Sequence, residues 1–212
     1  MKKLSFIHGV IVFLLVIVIS CSYGQYTSWE YDKKVNNIDF AKIRYGINNN
    51  DTSVIIGFLK NKTVIQGYPC GADWVQFNKN WELTLFRLDD KIVINNFGFP
   101  KNSWIRQNND KLVCAFPNDT VIQEYLCRGS GGPKGVQTSI YPNGKLESFF
   151  TKDNIKIGEI NCKGGVFNNI ILYDNGLLKE CTLSEDQIIK GISYKKGTRI
   201  NIDLNGNIIR QK

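Results

Sequence analysis

The sequence predicts an all-β protein made of about five tandem repeats of roughly 31 residues, because internal similarity at such a period marks a repeated supersecondary unit. An apolar residue recurs at spacings of 29, 34, 32 and 30 residues. Apolar and polar residues alternate within the repeats, as in half-buried strands, and no segment after residue 20 keeps a helical period. We expect three short strands per repeat and an elongated antiparallel meander or solenoid-like sheet. The recurring apolar positions are Leu83, Leu112, Leu146, Leu178 and Ile208.

Residues 1–20 have the features of a secretory signal peptide. Lys2 and Lys3 precede an apolar run over residues 10–19, which is shorter than the ~20 residues that a membrane-spanning helix needs. Two cleavage sites fit. Cleavage before Cys21 follows a lipobox-like sequence and would lipidate that cysteine, whereas cleavage before Gln25 follows small residues that ordinary signal peptidase prefers. The sequence therefore predicts export, with Cys21 as a candidate lipidation site.

Residues 25–52 lack the repeat and are predicted to form a spacer and an N-terminal cap, since a repeat array needs an atypical end to cover its open face. Trp29 and Tyr31 in this segment are interpreted as cap packing, with an exposed binding pair as the alternative. The β-repeat domain is expected to span residues 53–212.

Turn residues recur at fixed places in the repeats. Asn143-Gly144, Asn175-Gly176 and Asn205-Gly206 form Asn-Gly dipeptides, the strongest short-range hairpin signal because both residues tolerate positive φ. Trp74 and Trp104 lie eight or nine residues before the repeat leucines, which predicts that both belong to the core.

One repeat position alternates between cysteine and an aromatic residue, as an inward-facing site would. Buried free thiols are the favoured interpretation of the cysteines, and an exported protein can also form disulfides. The pair to test is Cys127 with Cys162, because they occupy neighbouring repeats. This position is found five residues after an isoleucine, at Cys70, Phe99, Cys127, Cys162 and Tyr194.

The sequence offers little catalytic or metal-binding chemistry. Its single histidine, His8, lies in the signal peptide, and no Cys-x-x-Cys motif occurs, which excludes histidine-dependent triads and the common zinc sites. We therefore predict no catalytic, cofactor-binding or metal-binding residue, and no cofactor.

Two motifs have a functional alternative. Glu82 with Asp89-Asp90 is a candidate carboxylate pair for glycoside hydrolysis, which needs carboxyl groups about 5 to 10 Å apart, although Asp90 also fits a structural turn position. Residues 129–135, GSGGPKG, look like a phosphate loop but lack the required order of glycine, lysine and hydroxyl residues. An enlarged turn is the preferred interpretation.

The net charge is +8 and becomes +6 once residues 1–20 are removed. The basic residues are scattered, whereas nucleic-acid binding requires a clustered patch. The expected partner is a protein or an anionic envelope polymer, not nucleic acid, and membrane contact would come only through a lipid on Cys21.

The segments YPNGKL and LYDNGLLKECTL, at residues 141–146 and 172–183, resemble the repeats of bacterial exported proteins with MORN-like, Asn-Gly-Lys-Leu-type repeats. The resemblance implies successive β-hairpins in an elongated sheet and a role in protein or lipid contact. We therefore expect an exported protein of the bacterial cell envelope or a secreted one, which acts as a binding or structural module and not as an enzyme. A carboxylate-dependent hydrolase of envelope glycans and an inhibitor or immunity-type protein are the alternatives.

Overall fold

The computed structural model describes residues 25–48, 51–108 and 111–211. These residues form 24 strands and no helix, which confirms the predicted all-β class. The first twelve strands are β1 (Gln25–Tyr26), β2 (Glu30–Val35), β3 (Ile38–Asn48), β4 (Asp51–Leu59), β5 (Thr63–Ile65), β6 (Tyr68–Cys70), β7 (Trp74–Asn78), β8 (Leu83–Arg87), β9 (Ile92–Ile94), β10 (Phe97–Phe99), β11 (Trp104–Asn108) and β12 (Lys111–Ala115). The others are β13 (Thr120–Ile122), β14 (Tyr125–Cys127), β15 (Thr138–Ile140), β16 (Leu146–Phe149), β17 (Ile155–Ile157), β18 (Ile160–Cys162), β19 (Ile170–Leu172), β20 (Leu178–Thr182), β21 (Gln187–Ile189), β22 (Ile192–Tyr194), β23 (Arg199–Ile202) and β24 (Ile208–Gln211).

Fourteen of these strands form one long antiparallel sheet, which we call the main sheet. Its order is β1-β3-β4-β7-β8-β11-β12-β15-β16-β19-β20-β23-β24, with β2 paired to β3. Each strand after β3 pairs with the next main-sheet strand along the chain, so the sheet is an open meander. This arrangement confirms the elongated antiparallel sheet that the repeats predict.

The other ten strands pair as five short hairpins: β5–β6, β9–β10, β13–β14, β17–β18 and β21–β22. Each repeat therefore contributes four strands, two to the main sheet and two to a short hairpin, whereas the sequence predicts three. Turns of only two residues join the hairpin strands, and one of these turns contains neither glycine nor asparagine. Gln123-Glu124 adopts φ values of 46° and 74°, which glycine or asparagine normally supplies in a hairpin turn of this length.

The repeat register that the sequence predicts is confirmed. Leu83, Leu146 and Leu178 each begin a main-sheet strand, as does Ile208, and Leu112 is the second residue of its strand. The Asn-Gly dipeptides lie in the loops that connect β15 to β16, β19 to β20 and β23 to β24. There the glycine donates its N–H to the carbonyl three residues before it, as Gly144 does to Tyr141 at 2.9 Å.

The short hairpins cover one face of the main sheet, and a continuous core lies between the two layers. The alternating cysteine and aromatic position is the last residue of each hairpin, and all five of its side chains are buried. This confirms that the position faces inward. Cys70 and Cys162 also form single backbone bridges to Leu88 and Leu183 of the main-sheet connections, which hold the hairpins against the sheet.

Residues 25–48 provide β1, β2 and β3 of the main sheet. β3 pairs with β4 along most of its length, from Phe40 with Leu59 to Asn48 with Asp51. The predicted signal peptide and Cys21 lie outside the described residues. Within the described ranges, no helix is long and apolar enough to cross a membrane.

Candidate functional site

A cavity of about 700 Å³ opens between the last two hairpins and the neighbouring loops of the main sheet. The turn of β17–β18 contributes Gly158 and Glu159, and β21 contributes Ile188 and Ile189. The β19–β20 loop closes one side with residues 176–178, and residues 202–206 close the other. The cavity therefore lies where the tips of these two hairpins meet the neighbouring main-sheet loops.

The cavity lies beside a hairpin that lacks the aromatic pair seen in the first and third hairpins. Tyr68 packs on Phe86 with ring centroids 4.8 Å apart, and Tyr125 packs on Phe149 at 5.1 Å. In the β17–β18 repeat the matching residues are the smaller Ile160 and Cys181. Ile160 lines the cavity, whose walls are mainly aliphatic.

The same repeat also lacks a bridging side chain at the hairpin tip. In the first hairpin, Gln66 hydrogen-bonds the main-sheet loop, and in the third hairpin Gln123 does the same. Gly158 holds the equivalent position at the cavity and has no side chain to offer. The cavity entrance is consequently bounded by backbone groups as well as by aliphatic side chains.

Charged groups at the cavity rim are engaged with neighbours. Lys190 donates to the Asn205 carbonyl at 2.8 Å and to Asn207 Oδ1 at 2.7 Å. Asp203 accepts from the backbone amides of Asn207 and Asn205, and its hydrogen bonds to Asn207 are the main reason that its pKa lies below the usual range. Glu159 pairs with Lys156 at 3.3 Å. The rim therefore supplies fixed charges, and the interior is apolar.

Five cysteines lie in the described residues, and all five are buried free thiols. The candidate pair Cys127 and Cys162 is not bonded in this structure. Burial raises the pKa of Cys70 and of Cys127 to about 12. The neighbouring Cys181 thiol and burial together raise the pKa of Cys162 well above its ordinary value. A neutral buried thiol is a poor nucleophile and a poor metal ligand.

The candidate carboxylate pair is not brought together. Glu82 precedes β8 and Asp89-Asp90 follows it, so a five-residue strand, roughly 16 Å long at the usual rise, separates them. Glu82 accepts a hydrogen bond from Asn78, and Asp89 pairs with Lys62 at 2.8 Å. Asp90 bonds the amide of the next residue, as a turn aspartate does. Their separation exceeds the spacing that glycoside hydrolysis needs.

The backbone N–H groups of the glycine-rich loop, residues 129–135, donate hydrogen bonds to acceptors within the protein. Gly129 N–H donates to Asp119 Oδ1 at 2.9 Å, and the N–H groups of Ser130 and Gly131 donate to the Phe116 carbonyl at 3.0 Å. A phosphate loop must direct such amides at its ligand. The structure therefore places residues 129–135 in the enlarged turn that the sequence favours.

One of the three tryptophans with a predicted location differs from expectation. Trp104 is buried, as predicted, and contacts the same small void as Pro133 of the glycine-rich loop. The prediction that Trp74 belongs to the core is wrong. It alternates with the buried Val75 and so faces the opposite side of the sheet, where it is half-buried.

Trp74 belongs to an aromatic and cationic cluster on that outer face. Its ring centroid lies 5.7 Å from that of Trp29, and Lys42 Nζ lies over both rings. Trp29 thus packs against the sheet, whereas Tyr31 is 64% exposed. Cations over aromatic faces hold such a cluster together, so it fits packing better than a vacant binding site.

No group of three or more histidine, cysteine, aspartate or glutamate side chains suited to a metal ion occurs in the part of the chain that the structure describes. No protein-family model matches the chain. No curated protein and no solved structure is similar to it either.

Sequence reasoning missed the cavity, although a signal was present. Aligned by repeat, the hairpins read Tyr68, Phe97 and Tyr125 at one position and then Ile160, and the turn reads Gln66, Asn95 and Gln123 and then Gly158. The last hairpin also lacks the aromatic residue and has Ile192 there, but only the β17–β18 turn has glycine at its first position. A loss of side-chain volume at both Gly158 and Ile160 of one hairpin is the pattern that would have predicted a cavity.

Proposed function

We propose that this protein is an exported module of the bacterial cell envelope that binds a ligand in the cavity beside Gly158. The observation that carries the proposal is the cavity of about 700 Å³ between the last two hairpins, whose walls are mainly aliphatic. Pockets of this size with apolar walls and a few polar groups are typical of ligand sites. Export rests on the N-terminal signal, and the resemblance to MORN-like repeats is in keeping with a contact role.

A binding role fits the chemistry of the cavity better than hydrolysis does. Its acids, Glu159 and Asp203, stand at the rim and are held by a lysine and by backbone amides. A hydrolase needs acids that converge on one substrate with pKa values poised for proton transfer. The inhibitor or immunity-type alternative is a special case of binding, in which the partner is an enzyme.

The binding proposal is tested by site-specific photo-crosslinking in the envelope fraction. A photoreactive phenylalanine at Leu177, which lines the cavity and is 51% exposed, should give a crosslinked product. The matched control places the same group at Val64, which is 70% exposed on the first hairpin and is not a cavity residue. Equal crosslinking at both positions, or none at Leu177, would refute the proposal.

The site of export processing is tested by the intact mass of the native protein. A chain that begins at an acylated Cys21 would be a membrane-tethered lipoprotein, and one that begins at Gln25 would be released after cleavage. A chain that retains residues 1–20 would contradict export through this signal.

A further inference from the structure

Two repeats show how a side-chain amide fills the gap between a hairpin tip and a main-sheet loop. Gln66 donates from Nε2 to the Trp81 carbonyl at 2.6 Å, and its Oε1 accepts from the Leu83 N–H at 2.9 Å. Gln123 makes the same two bonds, to the Gly144 carbonyl and from the Leu146 N–H, both at 3.2 Å. In each case one primary amide satisfies a carbonyl and an N–H that lie two residues apart.

The equivalent backbone groups at the cavity are the carbonyl of Gly176 and the N–H of Leu178. Leu178 begins β20 as Leu83 begins β8 and Leu146 begins β16. Gly176 and Leu178 both line the cavity, and the residue at the hairpin tip is Gly158. A donor and an acceptor therefore border the space that a glutamine side chain occupies in the other two repeats.

The space beside the Gly176 carbonyl and the Leu178 N–H suits an aliphatic part of a ligand. Ile160 stands where Tyr68 and Tyr125 stand, and the walls include Ile157, Ile188 and Ile202. Apolar surface of a ligand that is buried against such walls favours binding. The site thus combines one amide-recognising pair with adjoining apolar room.

We propose that the cavity binds the primary carboxamide of a glutamine side chain, carried by a peptide segment with aliphatic neighbours. The inference rests on the proposed binding function and specifies its ligand. A primary amide presents its oxygen and an N–H on one side, as Gln66 and Gln123 do here, whereas a trans backbone amide holds these groups on opposite sides. A carboxylate has no proton for the Gly176 carbonyl, and its charge would approach Glu159 and Asp203.

The first test measures binding of two capped peptides to the full chain by calorimetry: acetyl-Leu-Gln-Leu N-methylamide and its glutamate counterpart. The N-methyl cap removes a second primary amide. We expect the glutamine peptide to bind at least tenfold more tightly. Equal binding would overturn the carboxamide assignment, and so would the absence of binding by both peptides.

The second test is the substitution Gly158→Gln, which places the protein's own glutamine side chain in the proposed site. Gly158 has φ of +57°, close to the 51° of Gln66 and the 46° of Gln123, and an added Cβ meets no atom within 4 Å. The variant should fold and lose peptide binding at least tenfold. The matched control is Gly67→Asn, at a positive-φ turn glycine of the first hairpin that also has open space around its Cβ, and it should bind as the parent does. Unchanged binding by Gly158→Gln would overturn the proposal.

A third variant guards against a folding defect in Gly158→Gln. Ile160→Tyr restores the ring found at Tyr125 and should also abolish peptide binding, whereas retained binding would count against the site. Crosslinking at Leu177 separates the two proposals. Suppose that Gly158→Gln removes the crosslink but that an excess of the glutamine peptide does not. The binding function would then stand, and the glutamine ligand would be refuted. If the parent protein gives no crosslink at Leu177, both proposals are refuted.

Discussion

The phenol of Tyr141 donates a hydrogen bond of 2.9 Å to the backbone carbonyl of Leu172, 31 residues further along the chain. Tyr173 does the same in the next repeat and reaches the Ile202 carbonyl at 2.7 Å. These are the tyrosines of the two segments that resemble MORN-like repeats. In this protein they join one main-sheet loop to the next, so the motif has a structural role.

Tyr141→Phe should lower the free energy of unfolding by about 1 kcal/mol, since it removes one hydrogen bond and leaves the Leu172 carbonyl without that donor. Urea denaturation measures the change. Tyr31→Phe is the control, because Tyr31 is 64% exposed and its hydroxyl can bond water. Identical midpoints for parent and Tyr141→Phe would show that the bond contributes nothing.

Phe149→Ala should destabilise the protein by roughly 3 to 5 kcal/mol, the usual cost of removing a buried aromatic side chain from a core. Phe149 is fully buried and stacks on Tyr125. Val121→Ala, at a side chain 66% exposed, should shift stability by less than about 0.5 kcal/mol. Thermal unfolding of both variants gives the comparison, and similar shifts would contradict the packing described here.

The five buried thiols should resist alkylation in the native protein at neutral pH. Burial keeps all five out of contact with the reagent, and it also raises the pKa of Cys70, Cys114 and Cys127 above its ordinary value. Iodoacetamide followed by peptide mass spectrometry should label Cys70, Cys114, Cys127, Cys162 and Cys181 only after unfolding. A peptide pair linked through Cys127 and Cys162 would instead demonstrate the disulfide.

Stability should fall as pH rises above about 9. The pKa of Cys70 is raised from 9.0 to about 12 in the folded state, so above pH 9 the unfolded chain releases a proton that the folded chain retains. Stability is then lost by up to about 1.4 kcal/mol per pH unit for such a thiol until the folded thiol also ionises. The raised pKa of the Cys70 thiol therefore costs no stability below pH 9, and the loss of stability grows with each pH unit above it.

The variant Cys70→Val isolates this effect, because other groups titrate in both proteins. Its stability should decline less steeply than that of the parent between pH 9 and pH 11, measured by urea unfolding at each pH. Each protein is compared with its own value at pH 7, which removes the packing change. Parallel curves would show that Cys70 does not contribute.

The sequence by itself determined the all-β class, the repeat register and the inward position of Cys70, Cys127 and Cys162. These features depend on local alternation and on a period that recurs several times, so each repeat supports the interpretation of the others. The fourth strand of each repeat escaped detection because the hairpin strands are three residues long and are joined by turns of only two residues, one of which, Gln123-Glu124, contains neither glycine nor asparagine.

Only the tertiary structure decided on which face of the main sheet Trp74 lies and where the cavity is. A side chain's face depends on pairing register, and one residue of shift moves it to the other side. The cavity is lined by Gly158 and Ile160 of one hairpin and by Leu178 of the main sheet, which meet only when the hairpin packs on the main sheet. Packing between distant segments has no local periodicity, and for that reason the candidate site became visible only in the folded protein.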